Sequence, residues 1–98
     1  MYASVSMTQI KPDRIDDFVS AWDRLIKPEV SKLPGIVDAY TLVNRDTHKG
    51  MTIVLYATEV DATATQTSGT YRALVAQITD FLILDTLVRE GYEVGSRL

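Results

Sequence analysis

The chain of 98 residues contains no cysteine and only 3 prolines and 5 glycines. The absence of cysteine excludes disulfide bonds, thiolate metal sites and thiol nucleophiles. It is also consistent with a protein that works in a reducing compartment. The low proline and glycine content excludes collagen-like and low-complexity classes. No apolar run approaches the roughly 20 residues that a membrane-spanning helix needs, and residues 1–10 lack the basic start and apolar core of a secretory signal. We therefore expect a cytoplasmic protein with no membrane partner.

Basic charge is also scarce, because 10 Lys and Arg residues stand against 13 Asp and Glu residues, for a formal net charge of -3. Nucleic acid is a disfavoured partner, since phosphate backbones attract basic surfaces. Residues 49–56 resemble an RNA-recognition motif at their Lys-Gly start and final Tyr. The two positions that should stack on bases are Met51 and Ile53, which carry no aromatic ring. We therefore predict no nucleic-acid partner.

Histidine occurs once, as His48, two positions after Asp46 in a polar stretch. Two residues of ligand type do not make a metal site. The chain has no Gly-x-Ser-x-Gly segment for a nucleophilic serine and no glycine-rich loop for a phosphate. We therefore expect neither a metal nor a cofactor.

Periodic apolar residues are what the chain does contain, since 46% of its residues are hydrophobic. A chain of this length builds one core, so residues 1–98 are interpreted as a single domain. Alternating apolar residues predict strands, and apolar residues three and four positions apart predict amphipathic helices. The predicted elements are a strand over 2–10, a helix from Asp13 to Leu33 with a kink or restart at Pro28, a hairpin of strands 36–43 and 51–59, a helix over 71–82 and a strand over 87–94. Residues 58–67 are too weakly apolar for a core helix, and residues 62–69 are expected to form a loop or lid.

This β-α-β-β-α-β order predicts an α+β fold of the ferredoxin-like type, in which a four-stranded antiparallel sheet carries two helices on one face. In the predicted hairpin, Tyr40 and Leu42 alternate with Ala39 and Val43, so neither face of the sheet is plainly polar. Two helices shield only one face. We therefore predict that a second copy of the chain covers the other face and that the protein is a homodimer.

Aromatic residues with a polar atom are frequent, with five tyrosines and one tryptophan. Such side chains suit an apolar pocket that orients a flat ligand through a few hydrogen bonds. Trp22, Tyr40 and Tyr56 can equally be packing residues, because the first lies at helical spacing with Phe18 and the other two lie on strands. Both interpretations stay open from the residues alone.

The chain resembles the antibiotic biosynthesis monooxygenases, a family of dimeric α+β barrel proteins. The similarity covers nearly the whole chain. It rests on Trp22 to Pro28, on Leu33-Pro34-Gly35-Ile36 before the second strand, on Lys49-Gly50, on Tyr56-Ala-Thr-Glu59-Val-Asp61-Ala62 and on Gly69-Thr-Tyr71-Arg72. The resemblance implies a small homodimer whose ligand cavity lies between each sheet and its own helices.

The resemblance also implies two known activities. Some members oxygenate aromatic polyketides or quinols without metal or flavin, and others degrade haem. The haem-degrading branch is disfavoured, because the second helix has no His and the first strand offers Ser4, Ser6 and Thr8 where an Asn is expected. In the oxygenase branch a Trp commonly lies near the end of the third strand, where this chain has Tyr56.

We therefore expect a cofactor-independent monooxygenase acting on a small phenolic or quinol-like aromatic molecule. The alternative is a non-catalytic dimeric protein that binds a small molecule or assists another enzyme on the same scaffold. The expected catalytic groups are Tyr56, Tyr71 and Asn44 as hydrogen-bonding groups and Arg72 as the charge that lowers the pKa of the substrate phenol; Trp22, Tyr40 and Phe18 are the expected substrate-binding residues.

Overall fold

A computed structural model describes all 98 residues. The strands are β1 (Tyr2–Ile10), β2 (Ile36–Asn44), β3 (Lys49–Tyr56) and β4 (Leu82–Glu93). The helices are α1 (Ile15–Ala21), α2 (Lys27–Val30), α3 (Glu59–Gln66) and α4 (Gly69–Ala76), with a π-helical turn at Trp22–Ile26 and a 3-10 turn at Thr79–Phe81. No helix is long and apolar enough to cross a membrane.

The four strands form one antiparallel sheet in the order β2-β3-β1-β4. The ferredoxin-like fold predicted from the sequence is thus confirmed. Even-numbered residues of β1 and β3 face the helices. They meet a core that includes Ile10, Phe18, Trp22, Ile26, Val30, Val54, Tyr56, Leu74 and Ile78. The odd-numbered residues of β1 and β3 form the open face, which no helix covers.

The first helix follows the predicted pattern, including its disturbance at Pro28. The Lys27 amide donates to the Trp22 carbonyl, five residues back, and α2 then restarts with Pro28 in its first turn. Proline lacks an N–H and its ring presses on the carbonyl four residues earlier. The widened π-helical turn provides the space that the ring needs.

Glu59–Gln66 form helix α3 and α4 begins at Gly69, so the loop or lid predicted over 62–69 is wrong. Thr58 caps α3, because its Oγ1 accepts a hydrogen bond from the Asp61 amide and donates one to Asp61 Oδ2. Glu59 and Asp61 also place negative charge at the positive end of the helix dipole. Capping and charge therefore specify α3, which buries only the small side chains of Ala62 and Thr65.

The end of the second helical region also differs from the prediction. Residues 81 and 82 have helical spacing, but α4 ends at Ala76 and β4 begins at Leu82. Leu82 pairs with Ile10 at the end of β1, and the ladder continues to Glu93 with one irregularity between Met7 and Gln9. The backbone hydrogen bonds of this pairing extend β4 five residues before its predicted start.

Candidate ligand cavity between the sheet and the helices

A cavity of about 60 Å³ lies between the sheet and the helices. Apolar side chains dominate its walls, and they come from both the first helical region and α4. These are Phe18, Trp22, Ile26, Val30, Tyr71, Leu74, Val75 and Ile78, with Val54, Leu82, Leu84 and Leu87 from the strands. The cavity therefore presents a mostly apolar surface with its polar groups confined to one side.

The polar side is a row of side chains that crosses the helix-facing surface of the sheet. Ser6 on β1 lies opposite Thr52 on β3 and Arg89 on β4, and Thr52 lies opposite Thr41 on β2. Arg89 Nε donates a hydrogen bond of 3.3 Å to Ser6 Oγ. The Arg89 guanidinium also lies 5.6 Å from the centre of the Tyr71 ring. We call Ser6, Tyr71 and Arg89 the Arg89 cluster.

Helix α4 holds Tyr71 against this cluster. Ser68 caps the helix, because its Oγ accepts a hydrogen bond of 3.1 Å from the Tyr71 amide. Leu74, one turn further, is buried in the core and fixes the same face of the helix. The cap and the core contact therefore determine together where the Tyr71 phenol lies.

Tyr56 lies at the end of β3 and is almost completely buried, with 1% of its surface exposed. Burial raises the pKa of its hydroxyl, and the nearby Tyr71 phenol raises that pKa further. A hydrogen bond to Thr65 and the charge of Arg89 act in the opposite direction. Tyr56 is therefore a neutral hydrogen-bonding group near neutral pH.

The structure brings only part of the expected site together. Phe18, Trp22 and Tyr71 line the cavity. Arg72 is exposed and is not among the lining residues, because the next residue on a helix points about 100° away from Tyr71. Arg89, which is also exposed, is the arginine that lines the cavity instead.

Asn44 and Tyr40 lie away from this cavity. Asn44 Oδ1 accepts hydrogen bonds from the amides of Asp46 and Thr47, so it stabilises the β2-β3 turn. The Tyr40 hydroxyl donates a 2.6 Å hydrogen bond to Asp38, which raises the pKa of Tyr40. Tyr40 is on the open face and half exposed, at 48%. The sheet therefore separates both residues from the Arg89 cluster.

The open face carries a second concavity, of about 520 Å³. Met7, Leu42, Met51 and Val88 supply its apolar surface, and Asn44 lies at its border. Leu42 and Val88 are about half exposed, at 48% and 55%. An exposed apolar surface of this kind on a sheet is typical of a protein interface.

Solved structures resemble this chain over almost its whole length. A candidate antibiotic biosynthesis monooxygenase from Nitrosomonas europaea is 20% identical, with a TM-score of 0.78 over 98% of this chain and 100% of that chain. SnoaB, a cofactor-independent oxygenase from Streptomyces nogalater, is 13% identical, with a TM-score of 0.79 over 99% of this chain and 95% of that chain. The chain has the fold of the antibiotic biosynthesis monooxygenases.

A dimeric ferredoxin-like protein of unknown function from Jannaschia sp. CCS1 shares this monooxygenase fold. It is 13% identical, with a TM-score of 0.74 over 95% of this chain and 98% of that chain. No family model and no curated protein matches the sequence. At these identities the structural matches establish the fold, and the reaction has to be inferred from the site.

Within this antibiotic biosynthesis monooxygenase fold, sequence reasoning missed the most central polar residues, Ser6, Thr52 and Arg89. A signal for two of them was present, because Ser6 and Thr52 alternate with the apolar residues of β1 and β3. Arg89 had no such signal. Its position depends on the register of β4, which the irregularity between Met7 and Gln9 shifts. No group of three acidic or histidine side chains in the chain could hold a metal ion.

Proposed function

We propose that the protein is a cofactor-independent monooxygenase that acts on a small phenolic or quinol-like aromatic molecule. The observation that carries the proposal is the Arg89 cluster, which places a cation and two hydroxyl groups on one side of an apolar cavity. The fold shared with SnoaB, a cofactor-independent oxygenase, supports the same reaction class. In this proposal the aromatic ring of the substrate lies against Phe18 and Trp22, and its hydroxyl group faces Arg89.

The role of Arg89 is electrostatic. A positive charge near the phenol favours the phenolate and so lowers the pKa of the substrate hydroxyl. Tyr71 donates a hydrogen bond to the phenolate oxygen, and Ser6 holds the guanidinium through its 3.3 Å hydrogen bond. Tyr56, also expected at the site, lies near Tyr71 as a buried, neutral phenol but is not among the residues that line the cavity. Arg72 and Asn44, which the sequence suggested for this chemistry, do not line the cavity and take no part in this scheme.

The electrons for the reaction come from the substrate. The phenolate transfers electron density to dioxygen, and a carbon–oxygen bond forms at a ring carbon that carries hydrogen. The oxygen–oxygen bond then breaks, one oxygen atom stays on the ring as a quinone carbonyl, and the other leaves as water with the two hydrogens that the phenol loses. The substrate thereby supplies all four electrons that reduce dioxygen.

The size of the cavity sets a condition on this proposal. Pockets for ligands of drug size measure about 300–1,000 Å³, and this cavity measures about 60 Å³. Binding of a one-ring or two-ring phenol therefore requires side chains to move. Leu84 and Leu87 are exposed residues of the lining, so their displacement creates no void in the core.

We propose further that two copies of the chain pack through their open faces. Met7, Leu42 and Val88 expose apolar surface there, and packing against a second sheet removes that surface from water. The dimeric ferredoxin-like protein from Jannaschia sp. CCS1 has the same fold. The helices lie on the far side of each sheet, so this dimer leaves both cavities reachable.

Two arginine variants test the proposal against oxygen uptake with a panel of naphthols and hydroquinones. We expect Arg89→Ala to lower kcat/KM by roughly 10- to 100-fold, because it removes the charge that stabilises the phenolate. Arg72→Ala, one residue from Tyr71 but outside the cavity, is the matched control and should change kcat/KM by less than about 3-fold. Equal losses in both variants would contradict the assignment of Arg89. No oxygen uptake by the unaltered protein with any phenol would contradict the proposed function.

A non-catalytic binding or accessory role is the second candidate. The observation that favours it is that Phe18 and Trp22 are buried, with 2% and 8% of their surface exposed, and the cavity that they line measures only about 60 Å³. Calorimetric titration with the same phenols under nitrogen distinguishes the two candidates. Saturable binding without oxygen uptake in air supports this second role, and turnover supports the oxygenase.

A further inference from the structure

A groove of about 630 Å³ runs along the outside of the molecule between the first helical region and the edge strand β2. The groove shares Trp22 and Val30 with the cavity between the sheet and the helices, but none of Ser6, Tyr71 and Arg89 lines it. Its volume falls in the usual range for small-molecule pockets, roughly 300–1,000 Å³. Val19, Val30, Ile36 and Val37 supply apolar surface along it.

Two residues that line the groove each have a buried polar atom without a hydrogen-bond partner, Trp22 Nε1 and Thr41 Oγ1. They are the only buried side-chain nitrogen or oxygen atoms of the chain in this condition, and both residues line the groove. Trp22 is more than nine-tenths buried, since 8% of its surface is exposed. Buried polar groups are nearly always paired in folded proteins, so two unpaired groups at one groove indicate a missing partner.

The chemistry of these two atoms defines that partner. An indole N–H can only donate, so Trp22 requires a hydrogen-bond acceptor. The Thr41 hydroxyl can donate to the same atom, because a carbonyl oxygen has two lone pairs. The three charged residues at the groove already have partners: Lys27 pairs with Asp23 at 3.4 Å, and Asp38 accepts hydrogen bonds from the Tyr40 hydroxyl and the Ala39 amide. The groove therefore does not call for a charged ligand.

We propose that this groove is a binding site for an uncharged, apolar ketone whose carbonyl oxygen accepts hydrogen bonds from Trp22 and Thr41. The site does not depend on the oxygenase reaction. Tyr40 and Leu42 belong both to the rim of this groove and to the open face, but Thr41 and Trp22 lie on the helix side of the sheet, so the open-face dimer does not bury the two polar groups.

The single tryptophan makes the test direct, because a ¹⁵N-labelled sample gives one indole N–H signal. The probe is 1-tetralone, and the matched hydrocarbon tetralin lacks the carbonyl. We expect 1-tetralone to move the Trp22 indole proton downfield in a saturable manner together with the Thr41 amide. Tetralin should not move the indole proton downfield. The amides of Ser6 and Arg89, which report the other cavity, should stay in place.

Two substitutions at one position measure the hydrogen bond. Thr41→Val keeps the branched shape and removes the hydroxyl, and we expect it to weaken 1-tetralone binding by roughly 3- to 10-fold. Thr41→Ser keeps the hydroxyl and should bind within about 3-fold of the unaltered protein. The spectrum of each variant shows whether it is folded. Absence of saturable binding, equal affinity of Thr41→Val, or shifts centred on Ser6 and Arg89 would each overturn the proposal.

Discussion

Gly35 lies in the Leu33-Pro34-Gly35-Ile36 segment and packs against Asp61, which belongs to the Tyr56–Ala62 segment. Its substitution by alanine therefore tests the contact between these two segments. The residue has φ of +73°, a left-handed conformation that costs a residue with a Cβ about 1–2 kcal/mol. A Cβ at this position would also overlap the Asp61 side chain, at its Oδ2, Cγ and Cβ atoms. The Leu-Pro-Gly-Ile turn therefore packs directly against the first turn of α3.

The expected loss of stability follows from the cost of the left-handed backbone and from the overlap with Asp61. Moving the Asp61 side chain breaks its 2.9 Å hydrogen bond with Thr58, which contributes about 1 kcal/mol. The smaller entropy of the unfolded chain with alanine offsets about 0.4–1 kcal/mol of the total. We expect Gly35→Ala to lower the free energy of unfolding by about 2 kcal/mol, which corresponds to a Tm lower by roughly 8–16 °C.

Urea unfolding followed by circular dichroism measures this loss. Gly95→Ala is the control, because a Cβ on Gly95 would meet no atom within 4 Å and should change stability by less than about 0.5 kcal/mol. In an Asp61→Ala background, Gly35→Ala should cost about 1 kcal/mol less, because the hydrogen bond between Asp61 and Thr58 is already absent and only the Cβ of residue 61, at 2.7 Å, is still in the way. A cost for Gly35→Ala as small as that for Gly95→Ala would refute the reasoning.

Three further predictions concern single residues. Burial raises the pKa of Tyr56 in the folded protein above the ordinary 10.0, so the unfolded chain ionises first and the unaltered protein loses stability as the pH rises above about 10. Tyr56→Phe removes this hydroxyl and should make that loss smaller, which unfolding measured from about pH 8 to 11 would show. Ser68→Ala should lower the free energy of unfolding by about 1 kcal/mol through loss of the α4 cap, whereas Ser68→Asp should retain most of it, as thermal unfolding would show. Leu42→Glu should convert the proposed dimer to a monomer in sedimentation velocity, and an unchanged sedimentation coefficient would contradict the open-face interface.

The strands and the first helix could be predicted because side-chain burial alone specifies them. Residues of Tyr2–Ile10 alternate in polarity along the sequence, although Ser4, Ser6 and Thr8 face the helices and the apolar residues between them lie on the open face. The residues from Ile15 to Val30 keep one apolar face. Helix α3 could not be predicted, because its stability comes from the Thr58 cap and from small residues, which produce no strong apolar stripe. The start of β4 was also missed, because residues 81 and 82 fit both a helix and a strand, and only pairing with Ile10 decides between them.

The candidate site was predictable only where it depended on a single element. Phe18, Trp22 and Tyr71 lie on the core-facing sides of helices, so helical periodicity locates them. The choice between Arg72 and Arg89 depends on how α4 and β4 are placed on the sheet, which adjacency in sequence does not show. The place of Asn44 before the β2-β3 turn is explained by turn formation, because its side chain accepts hydrogen bonds from the Asp46 and Thr47 amides.

The π-helical turn before Pro28 means that the first helical region contains one residue more than its number of turns requires. Trp22, Ile26 and Val30 all remain on the sheet side, although four-residue steps in a regular α-helix would drift around the axis by about 40° each. The exposed residues Asp23 and Arg24 lie within the wide turn. The π-helical turn thus accommodates one extra residue without moving the buried side chains away from the sheet. A relative that lacks one residue at this turn is expected to bury the same face with a regular α-helix.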